Sequence, residues 1–197
     1  MNSILVTVTG TLTGDTYLSR SYPDDDYNDN GKIELYTTPV YKIVIQNLND
    51  SSKKKEWKAL RFMPFWNNPL SPSPSYKARG WINSGLTSVP KKKVTLYDKD
   101  YEVHNTTSPF GGAFQIQGNF LIHAGPSNIN QSGWGAAGCV EIIGSFDDFK
   151  KDIADLAGIK YKTLHEAMLT IVKSGKLFVE VLHATRPDLK SNFHAEY

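Results

Sequence analysis

The sequence carries a single cysteine, Cys139, among its 197 residues. One thiol excludes an intrachain disulfide framework and any zinc site built from several cysteines. Long apolar runs are missing too. The N-terminal MNSILVTVTGTLTGD has only a short apolar stretch with no basic segment before it. Nothing approaches the ~20 apolar residues that span a bilayer. This predicts a soluble chain made in the cytoplasm without a Sec signal and without a membrane span. Net charge is small, 22 Lys and Arg against 20 Asp and Glu. A balance of +2 makes no strong electrostatic case for a nucleic-acid partner. Repeats, heptads and low-complexity blocks are absent.

What is present is ordinary globular material, 40% hydrophobic and 12% aromatic. The length predicts one domain over 1–197, with enough chain for a sizeable core. Ile4 to Thr9 is β-rich and ends at Gly10, so Met1 to Arg20 reads as a hairpin or meander. Pro23 to Gly31 is an acidic loop; a solvated turn explains it better than calcium, because EF-hand spacing is missing. Lys32 to Tyr36 and Val40 to Gln46 read as strands, and Asn47 to Lys55 as a polar turn. Trp57 to Trp66 is aromatic, either a core-packing strand or the wall of a groove. Asn67 to Arg79, rich in proline and serine, must be an exposed excursion. Val94 to Tyr97 and Tyr101 to His104 read as further strands.

After residue 145 the pattern changes. Ser145 followed by Asp147 and Asp148 is a helix start, and Phe146, Phe149, Ile153 and Leu156 recur at helical spacing up to Gly158. Thr163 with Glu166 forms a capping box for a second helix, Leu164 to Lys173, ended by Gly175. Leu177 to Leu182 is a last strand, and Arg186-Pro187-Asp188 opens an exposed tail. The expected fold is mainly β up to residue 145, αα-β over 146–183, and a tail over 184–197.

The chemistry concentrates in Asn119 to Gly144, NFLIHAGPSNINQSGWGAAGCVEIIG. Phe120-Leu121-Ile122 leads into His123, sixteen positions before Cys139 (139 − 123). Apolar Val140 to Ile143 follows the cysteine. The pattern is strand, glycine-rich loop, strand, with two reactive side chains at the loop's roots. If the strands are sheet neighbours, imidazole and thiol meet. His123 then takes the thiol proton, or holds it as an imidazolium beside a thiolate. The backbone N–H groups of Gly138 and Cys139 are candidate oxyanion donors. A carbonyl in Ala124 to Pro126, or the Ser132 hydroxyl, would orient the ring. Trp134, between two glycines, either covers substrate or anchors the loop in the core.

This stretch resembles the active-site signature of the L,D-transpeptidases, cell-wall enzymes with a cysteine nucleophile. Their pattern is a histidine, some fourteen to seventeen residues, then Ser/Thr-His-Gly-Cys and a short apolar strand. The matching positions here are His123, the glycine-rich loop, and Ala136-Ala137-Gly138-Cys139-Val140. Ile122-His123-Ala124-Gly125 with Gly138-Cys139 is also similar to a phage and bacterial domain family of unknown function. Ala136-Ala137 stand where the family has Ser/Thr-His, and Glu141 where it has Arg or Asn.

The resemblance implies an L,D-transpeptidase-like β-sandwich or barrel with two C-terminal helices. It implies a thioester on Cys139, then transfer to an amine or hydrolysis by water, with no cofactor; no metal is expected either, because three convergent ligands cannot be assembled from the sequence. The substrate implied is a peptidoglycan stem peptide, with Trp134, Ser132, Gly125 and Ala137 beside it. Without a Sec signal, such an enzyme would be an exported antibacterial effector or phage-associated, acting in the periplasm or at the cell wall. An immunity protein would then be its partner. The rival expectation is an inactive module of the same fold that binds glycan or a protein. A buried structural thiol is the plain reading of Cys139. His104, His165, His183 and His194 are weaker candidates, with His165 expected on the surface of its helix.

Overall fold

The computed structural model describes residues 1–20, 22–23, 26, 30–66, 80–81, 88–102, 111–136, 138–185 and 193–196. Strands dominate the first part: β1 (Ile4–Arg20), β2 (Tyr22–Pro23), β3 (Glu34–Asn47), β4 (Lys54–Leu60), β5 (Pro64–Trp66) and β6 (Gly80–Trp81). Next come β7 (Val89–Lys93), β8 (Tyr97–Asp98), β9 (Ala113–Gln117), β10 (Phe120–Ala124), β11 (Ser132–Trp134) and β12 (Val140–Ile143). Helices α1 (Phe146–Ala157) and α2 (Leu164–Lys173) precede β13 (Leu177–Val181) and β14 (Phe193–Glu196). The protein is mainly β with two helices near its C-terminus.

One eleven-stranded sheet runs β7-β13-β1-β3-β4-β12-β10-β9-β8, with β11 added to β1 and β14 to β3. Strands β2, β5 and β6 form a small second sheet. Among the described residues β8 does not close onto β7, so the large sheet is open. Its helix-covered face carries Ile4, Val6 and Val8 of β1, Ile122 and Ala124 of β10, and Val140 and Ile142 of β12. These pack against Phe146, Phe149 and Ile153 of α1 and Met168 and Ile171 of α2. Each large side chain removed from water there contributes roughly 1.5–3 kcal/mol before entropy is counted.

The helices form where their end signals lie. Ser145 Oγ accepts from the Asp148 N–H, and Gly158 closes α1 at φ 66°, a left-handed turn that costs glycine little. Thr163 Oγ1 accepts from the Glu166 N–H at the start of α2.

Met1 to Arg20 corrects the sequence expectation: β1 is one long strand, not a hairpin. Its glycines bend the strand without reversing it. Gly10 lies so close to the His183 carbonyl that a Cβ would collide with it. Gly14 has φ 89°, and the β1–β3 register shifts on both sides of Leu12. The two strands expected in 32–46 are likewise one, β3, with Pro39 opposite Thr16 at that irregularity. A bulge accommodates the proline, which has no N–H for the ladder. Buried Arg61 sits at the bend, donating to Thr9 O at 2.7 Å and Leu182 O at 3.0 Å.

Past the bend, the β1–β3 ribbon supplies a second layer. Tyr17 and Val40 pack with Leu60, Ala136 and Ile143 on the sheet face away from the helices. Three further expectations are revised. Val94 to Leu96 lie outside any strand, although Val94 is buried and its N–H donates to Leu177 O at 2.9 Å. Tyr101 and Glu102 are not in a strand either. The tail returns as β14 and pairs with β3, Phe193 opposite Tyr36. Asn67 to Arg79, His104 and Ser108 to Phe110 lie outside the described residues, as does most of the Pro23–Gly31 loop.

Candidate active site

Strands β10 and β12 are parallel neighbours, with Ile122 opposite Val140, His123 opposite Glu141 and Ala124 opposite Ile142. Side chains alternate along a strand. Since Ile122, Ala124, Val140 and Ile142 face the helices, His123 and Glu141 share the other face. Cys139 immediately precedes Val140, on the approach to β12. Its Sγ lies 4.0 Å from Asn119 O, and the Leu121 N–H donates towards the sulfur. Cys139 thus sits beside the β10 backbone at the root of β12, two residues before Glu141, and no hydrogen bond joins its thiol to the His123 ring.

His123 is 4% exposed, and its Nδ1 lies 2.8 Å from Ala124 O. A carbonyl only accepts, so Nδ1 carries the proton and Nε2 of the neutral ring keeps a free lone pair. Burial holds the imidazole below its usual range, against the opposing pull of the Ala124 carbonyl. The half-buried Cys139 thiol is pushed up, by burial first and by Glu141 second, while the Leu121 N–H works the other way. Desolvation penalises the charged form of each group. The resting pair is therefore thiol and neutral imidazole, not thiolate and imidazolium.

Glu141 is 9% exposed, and burial alone raises its carboxyl to about 8. It makes no hydrogen bond or ion pair among the described residues. The Tyr101 ring lies 5.4 Å from the His123 ring, inclined at 40°. Burial raises the Tyr101 phenol, helped by Cys139 and Glu141. Tyr17, buried beneath β11, is pushed up to about 12, by burial first and Glu141 second. One wall thus holds Cys139, His123 and Glu141, with two tyrosines close enough to feel its charges.

Glycines set the backbone around this wall. Gly138 adopts φ 93° immediately before the nucleophile candidate, a conformation L side chains rarely take. Gly125 donates to Ile142 O at 2.8 Å. A Cβ on Gly125 would sit 2.8 Å from both Glu141 Cβ and Ile142 O, so only glycine lets the chain leave β10 this close to β12.

Of the residues expected beside substrate, the structure brings Gly125 to the wall. Ser132 and Trp134 go elsewhere: they belong to β11, which pairs with β1, Ser132 opposite Leu18 and Trp134 opposite Arg20. Ser132 is exposed and Trp134 half-buried. The loop is thus tied down in its middle. Ala137 lies outside the described residues. Ala136, where the resembled enzymes carry a hydroxyl residue, is 1% exposed and packs against Tyr17, Val40 and Leu60. His165 is not a free surface histidine: its Nδ1 and the Tyr97 hydroxyl are hydrogen-bonded at 2.6 Å. His183 is exposed.

Sequence reasoning missed Tyr17 and Tyr101, which no local spacing connects to the cysteine. Glu141 did leave a signal, a lone acid inside the apolar run Val140 to Ile143. Among the described residues no three His, Cys, Asp or Glu side chains are grouped to hold a metal ion. No helix among them is long and apolar enough to cross a membrane. Comparison with family models, curated proteins and solved structures finds no match to this chain.

Proposed function

We propose that the protein is a cysteine-dependent acyltransferase or hydrolase, with Cys139 as nucleophile and His123 as general base. The observation that supports this reading is the β10–β12 pairing, which sets His123, its Nε2 free, on the strand next to the one whose root carries the partly exposed Cys139 thiol. The sulfur attacks an amide or ester carbonyl as Nε2 takes its proton, since thiol and ring both start neutral. The Cys139–carbonyl bond forms, negative charge gathers on the carbonyl oxygen, and the Gly138 and Cys139 N–H groups are the candidate donors to it. Collapse to the thioester expels the amine or alkoxide, which takes the proton back from His123. Water or a second amine then cleaves the thioester.

The resemblance to L,D-transpeptidases supplies the substrate class, a peptidoglycan stem peptide, and the reaction, transpeptidation or carboxypeptidation. With that substrate the enzyme would be an exported antibacterial effector or a phage-associated enzyme, acting in the periplasm or at the wall and paired with an immunity protein. Incubation with tetrapeptide-containing sacculi, with products read by mass spectrometry, tests this. Trimmed or cross-linked muropeptides that disappear in Cys139→Ala are the expected result. Unchanged muropeptides, where a known transpeptidase works, count against it.

One observation favours a second reading, the inactive module that binds glycan or a protein. Burial and Glu141 both move the thiol away from thiolate, and apolar Ala136 occupies a position polar in the resembled enzymes. A Cys139→Ala protein that binds sacculi as tightly as wild type, with no turnover by either, would establish that reading.

A further inference from the structure

Glu141 is the one group on the wall that the proposed chemistry does not use. Proteins rarely bury a carboxyl without a partner, and where they do the reason is commonly functional. Its position is enforced: the β10–β12 register sets it opposite His123, and Gly125 is packed against its Cβ. Among the described residues no Lys or Arg forms an ion pair or hydrogen bond with it, and the basic side chain opposite it, His123, is itself held neutral by burial. The other titratable groups facing it are Cys139, Tyr101 and Tyr17, all neutral at pH 7.

We propose that Glu141 is a specificity-determining residue, a subsite for a primary ammonium carried by the acyl donor or by the acceptor amine. This deepens the acyltransferase reading and rests on it. An ammonium brings the countercharge that the fold withholds. Binding converts the protonated acid to carboxylate, so at pH 7 a proton leaves Glu141 as the ammonium enters. A neutral amide or alcohol gains nothing comparable.

The test uses the full chain and two probes, n-butylammonium and the neutral alcohol of the same length, n-butanol, titrated calorimetrically at pH 7 in buffers of differing ionisation enthalpy. The ammonium is expected to bind at least tenfold tighter than the alcohol, with proton release, and Glu141→Gln to lose that preference. Equal affinity for both probes in wild-type protein overturns the proposal without reference to any variant. So does an unchanged preference in a folded Glu141→Gln. Lysine methyl ester offered as acyl donor, and in a separate arm lysine amide offered as acceptor, distinguish which substrate carries the ammonium. Selective ammonium binding without any Cys139 acylation refutes the acyltransferase reading and leaves the subsite standing. Acylation without ammonium preference does the reverse.

Discussion

His123 and Glu141 stand directly opposite each other on β10 and β12, both buried, and burial drives their titrations in opposite senses. The ring resists protonation and the carboxyl resists ionisation, so the wall is electrically neutral near pH 7. Cys139, at one end of it, is held as a thiol for the same reason. Desolvation therefore decides the resting state of all three groups.

The thiol's alkylation profile follows. Its pKa lies above the ordinary thiol value of about 8.5, so iodoacetamide should react slowly at pH 7 and accelerate only in alkaline solution. Replacing Glu141 by Gln removes one of the two influences that raise the thiol. The midpoint of the rate–pH profile is expected to move down in Glu141→Gln. A midpoint well below pH 8 in wild-type protein would show a preformed thiolate and contradict the neutral pair.

Stability should also change with pH, and the sign is opposite for the two buried groups. An unfolded Glu titrates near 4.3, whereas folded Glu141 titrates at about 8. Between those values the folded state holds a proton that the unfolded state has lost, so Glu141 lowers stability as pH rises through this window. Glu141→Gln is expected to be more stable than wild type, by on the order of 3–5 kcal/mol at pH 8, with the gain vanishing towards pH 4. For His123, with its folded value depressed, stability is lost as pH falls below about 6.5. Urea titrations across pH 4–9 measure both slopes, and a flat difference between Glu141→Gln and wild type would refute the buried-acid account.

Gly125→Ala tests the close approach of β10 and β12. The new Cβ would meet Glu141 Cβ and the Ile142 carbonyl, both at 2.8 Å, and backbone cannot yield cheaply there. A loss of about 1–3 kcal/mol is expected, typical of overpacking, together with broadened His123 and Glu141 resonances. Gly133→Ala is the control, because its Cβ would meet only the Tyr17 hydroxyl, at 3.0 Å. Equal stability of the two variants would contradict the packing described.

Much of this arrangement was legible in the sequence wherever a local signal fixes a local structure. Ser145, Gly158 and Thr163 mark helix ends through their own backbone hydrogen bonds and dihedral angles, and the helices start and stop there. The two apolar runs around His123 and Cys139 became neighbouring strands. What was not legible depends on distant partners. Gly10 and Gly14 look like turn residues, yet β1 continues through them because β3 pairs with it before and after both, while β13 and β11 pair with its two ends. Tyr17 reaches the wall only because the β1–β3 ribbon folds over it, and no spacing within 20 residues of Cys139 encodes that. β11 escaped notice for a related reason: three loop residues become a strand by pairing with the far end of β1.

The central claim is that His123 activates Cys139. The most direct measurement is acetylation by p-nitrophenyl acetate, with release of p-nitrophenolate followed over time and the modified residue located by mass spectrometry. The account predicts a single acetyl group on Cys139, none in Cys139→Ala, and a rate ~10²–10⁴-fold lower in His123→Ala at pH 8. An inert Cys139 in wild-type protein, or an unchanged rate in a folded His123→Ala, would contradict it.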